Sequence, residues 1–143
     1  MTPLFALFLL FAAPPAPSSL DQVKADPNPD HRAKAAVDYA SVAERSAEAA
    51  YAKGEMQSVA AELKNVEESF EAAQDAFVAS HKTPGRNPGP YKYAEQRSRE
   101  LLIRLGDLEQ KMDTSERSII ADVKAKVQEM HDAWFEGIMG RKK

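Results

Sequence analysis

Apolar residues recur at alternating intervals of three and four in three segments of this 143-residue chain. The three series are Met56, Val59, Leu63, Val66, Phe70, Ala73, Phe77, then Ala94, Ser98, Leu101, Leu105, Leu108, Met112, and finally Ile120, Val123, Val127, Met130, Trp134. This spacing puts each series on one face of an α-helix and is typical of helices that pack as in coiled coils. No segment shows the period of two that indicates a β-strand, so the pattern predicts an all-α protein.

A segment nearer the N-terminus has an apolar face of small residues. The stripe consists of Ala33, Ala36, Ala40, Ala43, Ala47 and Ala50. Asn28 followed by Pro29 is a typical helix start, and Gly54 is a typical helix stop. Alanines let a neighbouring helix approach closely, but each one buries little area. We therefore expect this helix to be the most weakly held of the four.

Start and stop signals divide the chain into four helices. The predicted ranges are 29–53, 55–81, 90–112 and 114–139. Asp113 and, three residues later, Glu116 form a capping-box pattern before the last helix. The short connections at Gly54 and Asp113 predict two helical hairpins. We therefore predict that residues 29–140 form an antiparallel four-helix bundle built from these hairpins.

Opposite charges favour packing the second helix against the third. Their equivalent heptad positions carry Glu55 and Glu62 on one helix and Arg97, Arg104 and Lys111 on the other. One register pairs Glu62 with Arg104, and the register one heptad away gives Phe77 a partner in Ala94. Burial of Phe77 is worth about 1.5–3 kcal/mol, against about 0.3–0.5 kcal/mol for each exposed ion pair. This difference favours the second register.

The N-terminal residues resemble an export signal. The first nineteen residues carry no charged side chain, and residues 4–13 form an unbroken apolar run. A membrane-spanning helix needs about twenty apolar residues, so a run of this length fits a signal peptide better. Small residues at Ala16 and Ser18 predict a signal peptide over 1–18 that is cut between Ser18 and Ser19. No lysine or arginine precedes the run, which leaves an apolar anchor or core helix as the alternative.

Export would place the mature chain in the periplasm or outside the cell. It would consist of a disordered tether over 19–28, the helical domain and a basic tail over 141–143, without an integral membrane span. The chain has no cysteine, which excludes disulfides and thiolate chemistry. A net charge of −3 is too small to indicate nucleic acid as a partner.

The sequence "AAYAKGEMQSVAAEL" at 49–63 resembles the helix–turn–helix junction of a tetratricopeptide repeat. Tyr51 and Gly54 lie where that family has its turn, and Met56, Val59 and Leu63 where it has the core of its second helix. The resemblance covers residues 33–77, about one repeat, and it implies protein–protein binding. No proline closes the second helix and no second copy follows, whereas a solenoid needs at least three repeats.

No catalytic, cofactor-binding or metal-ligating residues are predicted. His31, His81 and His131 do not form the Glu-x-x-His or His-Glu-x-x-His patterns of metal sites, so we expect solvated or helix-end roles for them. The chain has no phosphate-binding glycine loop and no Gly-x-Ser-x-Gly. Together these absences indicate that the protein is not an enzyme and has no cofactor.

The loop sequence "HKTPGRNPGPYKY" at 81–93 is the best candidate for a binding element. It carries Lys82, Arg86 and Lys92 without an acid, and Tyr93 adds an aromatic ring. Basic side chains beside aromatic rings are able to bind anionic groups. The alternative is a solvated turn with one tyrosine packed on the end of the bundle. Near the C-terminus, the sequence "WFEGIMGRKK" could touch a membrane surface, but Trp134 fits the core and leaves Phe135 for a partner.

These observations predict an exported, non-enzymatic helical bundle that binds another protein or serves as a structural module. The first alternative is a periplasmic chaperone or stress-sensing bundle that binds unfolded proteins, although the chain lacks the Leu-Thr-x-x-Gln motif of small periplasmic chaperones. The second alternative is a haem- or metal-binding bundle. The heptad seams would also serve a homo-oligomer.

Overall fold

The computed structural model describes residues 19–140, and this part of the chain is all-helical without a strand. Its helices are α1 (Leu20–Lys24), α2 (Pro29–Ala52), α3 (Met56–Ser80), α4 (Pro88–Lys111) and α5 (Ser118–Ile138). The predicted signal peptide, with most of its cleavage region, and the basic tail over 141–143 lie outside the described residues. None of the described helices is both long enough and apolar enough to cross a membrane.

The heptad seams are confirmed as the core of the protein. Val59, Leu63, Val66 and Phe70 on α3 are all at most 1% exposed. The seam residues of α4 and α5 are buried in the same way, except that Met130 is only half-buried. The alanine stripe of α2 is also buried along its whole length. The pattern of spacing in the sequence therefore identified the buried face of each long helix.

The order of the helices around the core differs from the predicted pairing. α2 packs along α3 and α4 packs along α5, while α2 also contacts α4 and α3 also contacts α5. The backbones of α3 and α4 make no contact, so these consecutive helices lie diagonally across the core. Both proposed registers of α3 against α4 are therefore wrong. The physical reason is that α2, with its small alanine side chains, packs against both helices and takes Arg97 and Arg104 of α4 as partners.

Aromatic side chains bridge the diagonal near the α3–α4 loop. The ring of Phe77 stacks on Tyr91 with a centroid distance of 4.1 Å and meets Trp134 edge-on at 5.6 Å. Trp134 also stacks on Phe70, and its indole N–H donates to Gln74 at 2.9 Å. Phe77 thus has Tyr91 as its partner on α4, where the sequence had suggested Ala94.

The helix starts follow the predicted signals with two shifts. Asn28 caps α2, because its side-chain oxygen accepts hydrogen bonds from the N–H groups of Asp30 and His31. Glu116 accepts from the N–H of Asp113 at 3.1 Å, which is one half of the predicted capping box. Residues 113–117 form a turn, so α5 begins four residues later than expected. α4 begins at Pro88, two residues earlier than expected.

Residues 20–24, which the sequence placed in a disordered tether, form the short helix α1. Ser19 caps this helix by accepting from the N–H of Gln22 at 3.2 Å. Leu20 and Val23 are buried against α2 and α3, with 8% and 2% exposure. Two apolar residues at a spacing of three are enough to bring this turn onto the core.

Candidate functional site

The predicted binding residues lie at one end of the molecule, which we call the loop end. Here residues 81–87 meet the N-termini of α2 and α4 and the C-termini of α3 and α5, because the long helices alternate in direction. The opposite end consists of the turns around Gly54 and Asp113. The loop end therefore gathers residues that are far apart in sequence.

The loop is fixed to three helices. The hydroxyl of Tyr91 donates to the carbonyl of Lys82 at 2.8 Å, which holds the loop to α4. Lys82 forms an ion pair with Asp30 at the start of α2. On the third side Pro84 lies directly on Gly137 of α5, where a Cβ would come within 2.7 Å of the proline Cγ. The loop is a packed connection with a defined outer face.

Lys82 and Tyr93 are engaged within the protein. The hydroxyl of Tyr93 donates to Asp38 and accepts from the Nε of Arg97 at 3.2 Å. The ammonium group of Lys34 lies 5.1 Å from the centre of the same ring. With their charges and hydroxyl partnered inside the molecule, Lys82 and Tyr93 serve first to position the loop end.

Arg86 and Lys92 are exposed, and their side chains make no hydrogen bond, ion pair or ring contact within residues 19–140. Phe135 is 40% exposed and stacks on His131 with a centroid distance of 6.1 Å. Val78 and Met139 are 65% and 56% exposed at the same end. We call these five side chains (Val78, Arg86, Lys92, Phe135 and Met139) the basic–apolar surface.

Exposed apolar side chains are unevenly distributed over the molecule. In the part that the structure describes, large apolar residues are exposed at Val42, Val78, Ile103, Phe135 and Met139. Three of the five lie at the loop end, and none lies at the opposite end. Scattered single apolar residues need no explanation, whereas three of them at the end that also carries two free cations mark a candidate interaction site.

A cleft of about 220 Å³ lies at the loop end, between the first turns of α2 and α4. Its floor is apolar, with Ala33, Val37 and Ala94, and the ring of Tyr93 forms one wall. Asp30, His31 and Lys34 stand at its rim. The sequence named Tyr93 as a candidate, but the cleft itself depends on how α2 approaches α4.

His131 has a different role from the predicted solvated one. Its side chain is 15% exposed, with Nε2 at 2.9 Å from Glu95 of α4 and Nδ1 at 3.0 Å from Asp132. Arg99 makes a bidentate pair with the same Glu95. Burial acts to raise the pKa of Glu95, but the hydrogen bonds from Arg99 and His131 outweigh it and lower the pKa. This network joins α4 to α5.

A second network joins α2 to α4 through Glu44, Glu48 and Arg104, of which Glu48 and Arg104 are only half-buried. Glu44 is completely buried, although its position in the sequence marks it only as a polar residue beside the alanine stripe. The signal that could have identified it is its position one residue after the stripe alanine Ala43, on the flank of the buried face. Residues 19–140 contain no group of three or more histidine or acidic side chains arranged to hold a metal ion.

Comparisons with known proteins give no relative for this chain. No family model, no curated protein and no solved structure matches it.

Proposed function

We propose that this protein is an exported, non-enzymatic helical bundle that binds another protein through the basic–apolar surface. In this proposal α2 to α5 form an antiparallel four-helix bundle of two hairpins, with α3 diagonal to α4. The observation that carries the proposal is that Val78, Phe135 and Met139 are exposed at the same end of the molecule as Arg86 and Lys92, which have no partner within residues 19–140.

The surface has the chemistry of a protein-binding site. Interfaces are enriched in aromatic residues, methionine and arginine, and their rims are polar. Phe135 and Met139 provide apolar contact area near the C-terminus of α5. Arg86 and Lys92 would attract a partner with acidic groups and would favour one orientation of binding. Because Lys82, Tyr91 and Pro84 fix the loop, little conformational entropy would be lost on binding.

Site-specific photo-crosslinking in the native cell tests this proposal. A crosslinking amino acid replaces Arg86 or Lys92, and the matched control carries it at Lys53, which is exposed at the opposite end. We expect the same polypeptide to be captured from positions 86 and 92 but not from position 53. The crosslinked form of this chain should be found in the exported fraction and should begin at Ser19.

Charge reversal then measures how much the basic residues of the surface contribute to the binding affinity. The double variant R86E/K92E should weaken binding of the captured polypeptide by about tenfold or more, whereas K53E should leave it unchanged. Equal capture from both ends would contradict a localised site. A wide range of unfolded polypeptides would favour a chaperone instead, and capture of a second copy would indicate a homo-oligomer.

A further inference from the structure

The contact between α2 and α4 contains a carboxylic acid that is completely removed from solvent. Glu44 is 0% exposed, and its Oε2 lies 3.0 Å from the Nε of Arg104. One turn later on α2, Glu48 accepts a hydrogen bond from Arg104 Nη2 at 3.3 Å. Two carboxyl groups of α2 therefore share one guanidinium group of α4.

The geometry leaves Glu44 unsatisfied as a carboxylate. Among residues 19–140, neither of its oxygens accepts a hydrogen bond, and the Nε of Arg104 has no hydrogen-bond acceptor either. The two groups are close enough to form an ion pair, but they are not aligned for a hydrogen bond. A buried charge without hydrogen bonds is strongly unfavourable. A proton on Glu44 removes the charge and supplies an O–H that is able to donate to Glu48.

The pKa values of the pair agree with this geometry. Burial, followed by the hydrogen bond that protonated Glu44 is able to donate to Glu48 and by the negative charge of Glu48, raises the pKa of Glu44 to about 8, and Arg104 only partly opposes this. Burial also acts to raise the pKa of Glu48, but hydrogen bonds with Glu44 and Arg104 outweigh it and lower that pKa. At neutral pH the pair therefore holds a single proton, which is located on Glu44.

We propose that Glu44, Glu48 and Arg104 form a proton-operated latch between α2 and α4, closed while the carboxyl pair holds one proton and loosened when that proton is lost. The positive charge of Lys111 on α4 also lowers the pKa of Glu48 and so favours its charged form. α3 is the other long helix packed against α2. After burial, the negative charge of Glu62 on α3 is the second cause that raises the pKa of Tyr39, five residues before Glu44. The latch shares no residue with the basic–apolar surface.

The direction of the pH effect follows from the two states of Glu44. In the open state its carboxyl group meets water, so its pKa returns to the ordinary value of 4.5, compared with about 8 in the closed state. Between these two values the closed state binds more protons than the open state. The opening equilibrium should therefore increase with pH, by up to about tenfold per pH unit, and level off above the higher value. Glu48 contributes with the opposite sign: its pKa is lower in the closed state, so its protonation in acid weakens the latch. The latch is therefore tightest while Glu44 holds its proton and Glu48 is charged, and it loosens as the pH rises toward about 8.

The test uses the full-length mature chain and two measurements. Carbon-13 NMR of the glutamate carboxyl groups follows the titration of Glu44 directly, without a variant. Hydrogen exchange from pH 5 to pH 8 measures protection factors near Glu44 on α2 and Arg104 on α4. The variant E44Q keeps the shape of the side chain but does not titrate. The variant E129Q, on the exposed face of α5, is the matched control.

We expect Glu44 to titrate well above pH 6, and the protection factors near the latch to fall at least tenfold between pH 5 and pH 8. E44Q should abolish this fall, E48Q should reduce it by removing the negative charge that helps to raise the pKa of Glu44, and E129Q should leave it unchanged. Protection around Val127 of α5 should change much less.

Titration of Glu44 near its ordinary pKa, or the same fall in E44Q, would overturn the latch. A uniform loss of protection over all helices would also overturn it.

Discussion

At the scale of single residues, Gly137 shows that the absence of a side chain can decide how a loop packs. Pro84 occupies the space where a Cβ of residue 137 would lie, with contact distances of 2.7 and 2.9 Å. The proline ring is rigid, so it cannot move aside as a flexible side chain would. In contrast, a Cβ added at Gly106, near the C-terminal end of α4, would meet no atom within 4 Å apart from the backbone of its own helix.

These two glycines give a matched pair of predictions. G106A should stabilise the protein by about 0.5–1 kcal/mol, because alanine is the better helix former. G137A gains the same preference but forces Pro84 off α5, so we expect a net loss of about 1–3 kcal/mol. Chemical denaturation measures both. Recovery of stability in G137A/P84A would confirm the cause, and a stabilised G137A would contradict the packing of the loop.

Polar residues were the least predictable at this scale. Glu44, Glu95 and His131 are all buried or nearly so, and their partners lie on other helices. The periodicity of α2 identified its alanines as buried but gave no information about a glutamate at the edge of the stripe. The free side chains of Arg86 and Lys92, by contrast, follow from a loop sequence that contains three basic residues and no acid.

At the scale of the helices, the alanine stripe determines how closely α2 approaches its neighbours. Ala36, Ala40 and Ala47 are 0% exposed, and α2 contacts both α3 and α4 along this face. Larger side chains would separate these helices and would disturb the Glu44–Arg104 contact. The small residues thus explain why α2, and not α3, receives the arginines of α4.

Enlarging the stripe tests this explanation. A40L places three additional carbon atoms in a fully packed contact, so we expect it to reduce the free energy of unfolding by about 1–3 kcal/mol. A49L makes the same substitution on the exposed face of the same helix and should change stability by no more than about 0.5 kcal/mol. Equal effects of both substitutions would show that α2 does not pack as tightly as described.

At the scale of the whole molecule, one aromatic cluster connects three of the long helices. Phe77 of α3 contacts Tyr91 of α4 and Trp134 of α5, and it is only 3% exposed. Because the backbones of α3 and α4 do not touch, these rings form the direct link across the diagonal near the loop end. They also form the base on which the loop over 81–87 is built.

Truncating this ring should therefore affect the molecule as a whole. F77A should reduce the free energy of unfolding by about 3–5 kcal/mol, because it removes a large buried side chain and leaves a cavity. Near-ultraviolet circular dichroism should show a weaker signal from Trp134. The neighbouring variant V78A alters a side chain that is 65% exposed and should be nearly neutral. An F77A variant as stable as V78A would rule out the cluster as the central link.

The sequence by itself determined the helical class, the buried face of each long helix and most helix ends, because these depend on spacing and on residues adjacent in the chain. It also located the basic loop. Only the tertiary structure decided which helices are neighbours. The exposed ion pairs that favoured α3 beside α4 are weak, and the close packing along α2 contributes more to the free energy of folding. For the same reason the latch at Glu44, the Glu95–His131 network and the gathering of Val78, Phe135 and Met139 around the loop arise only when distant segments are packed together.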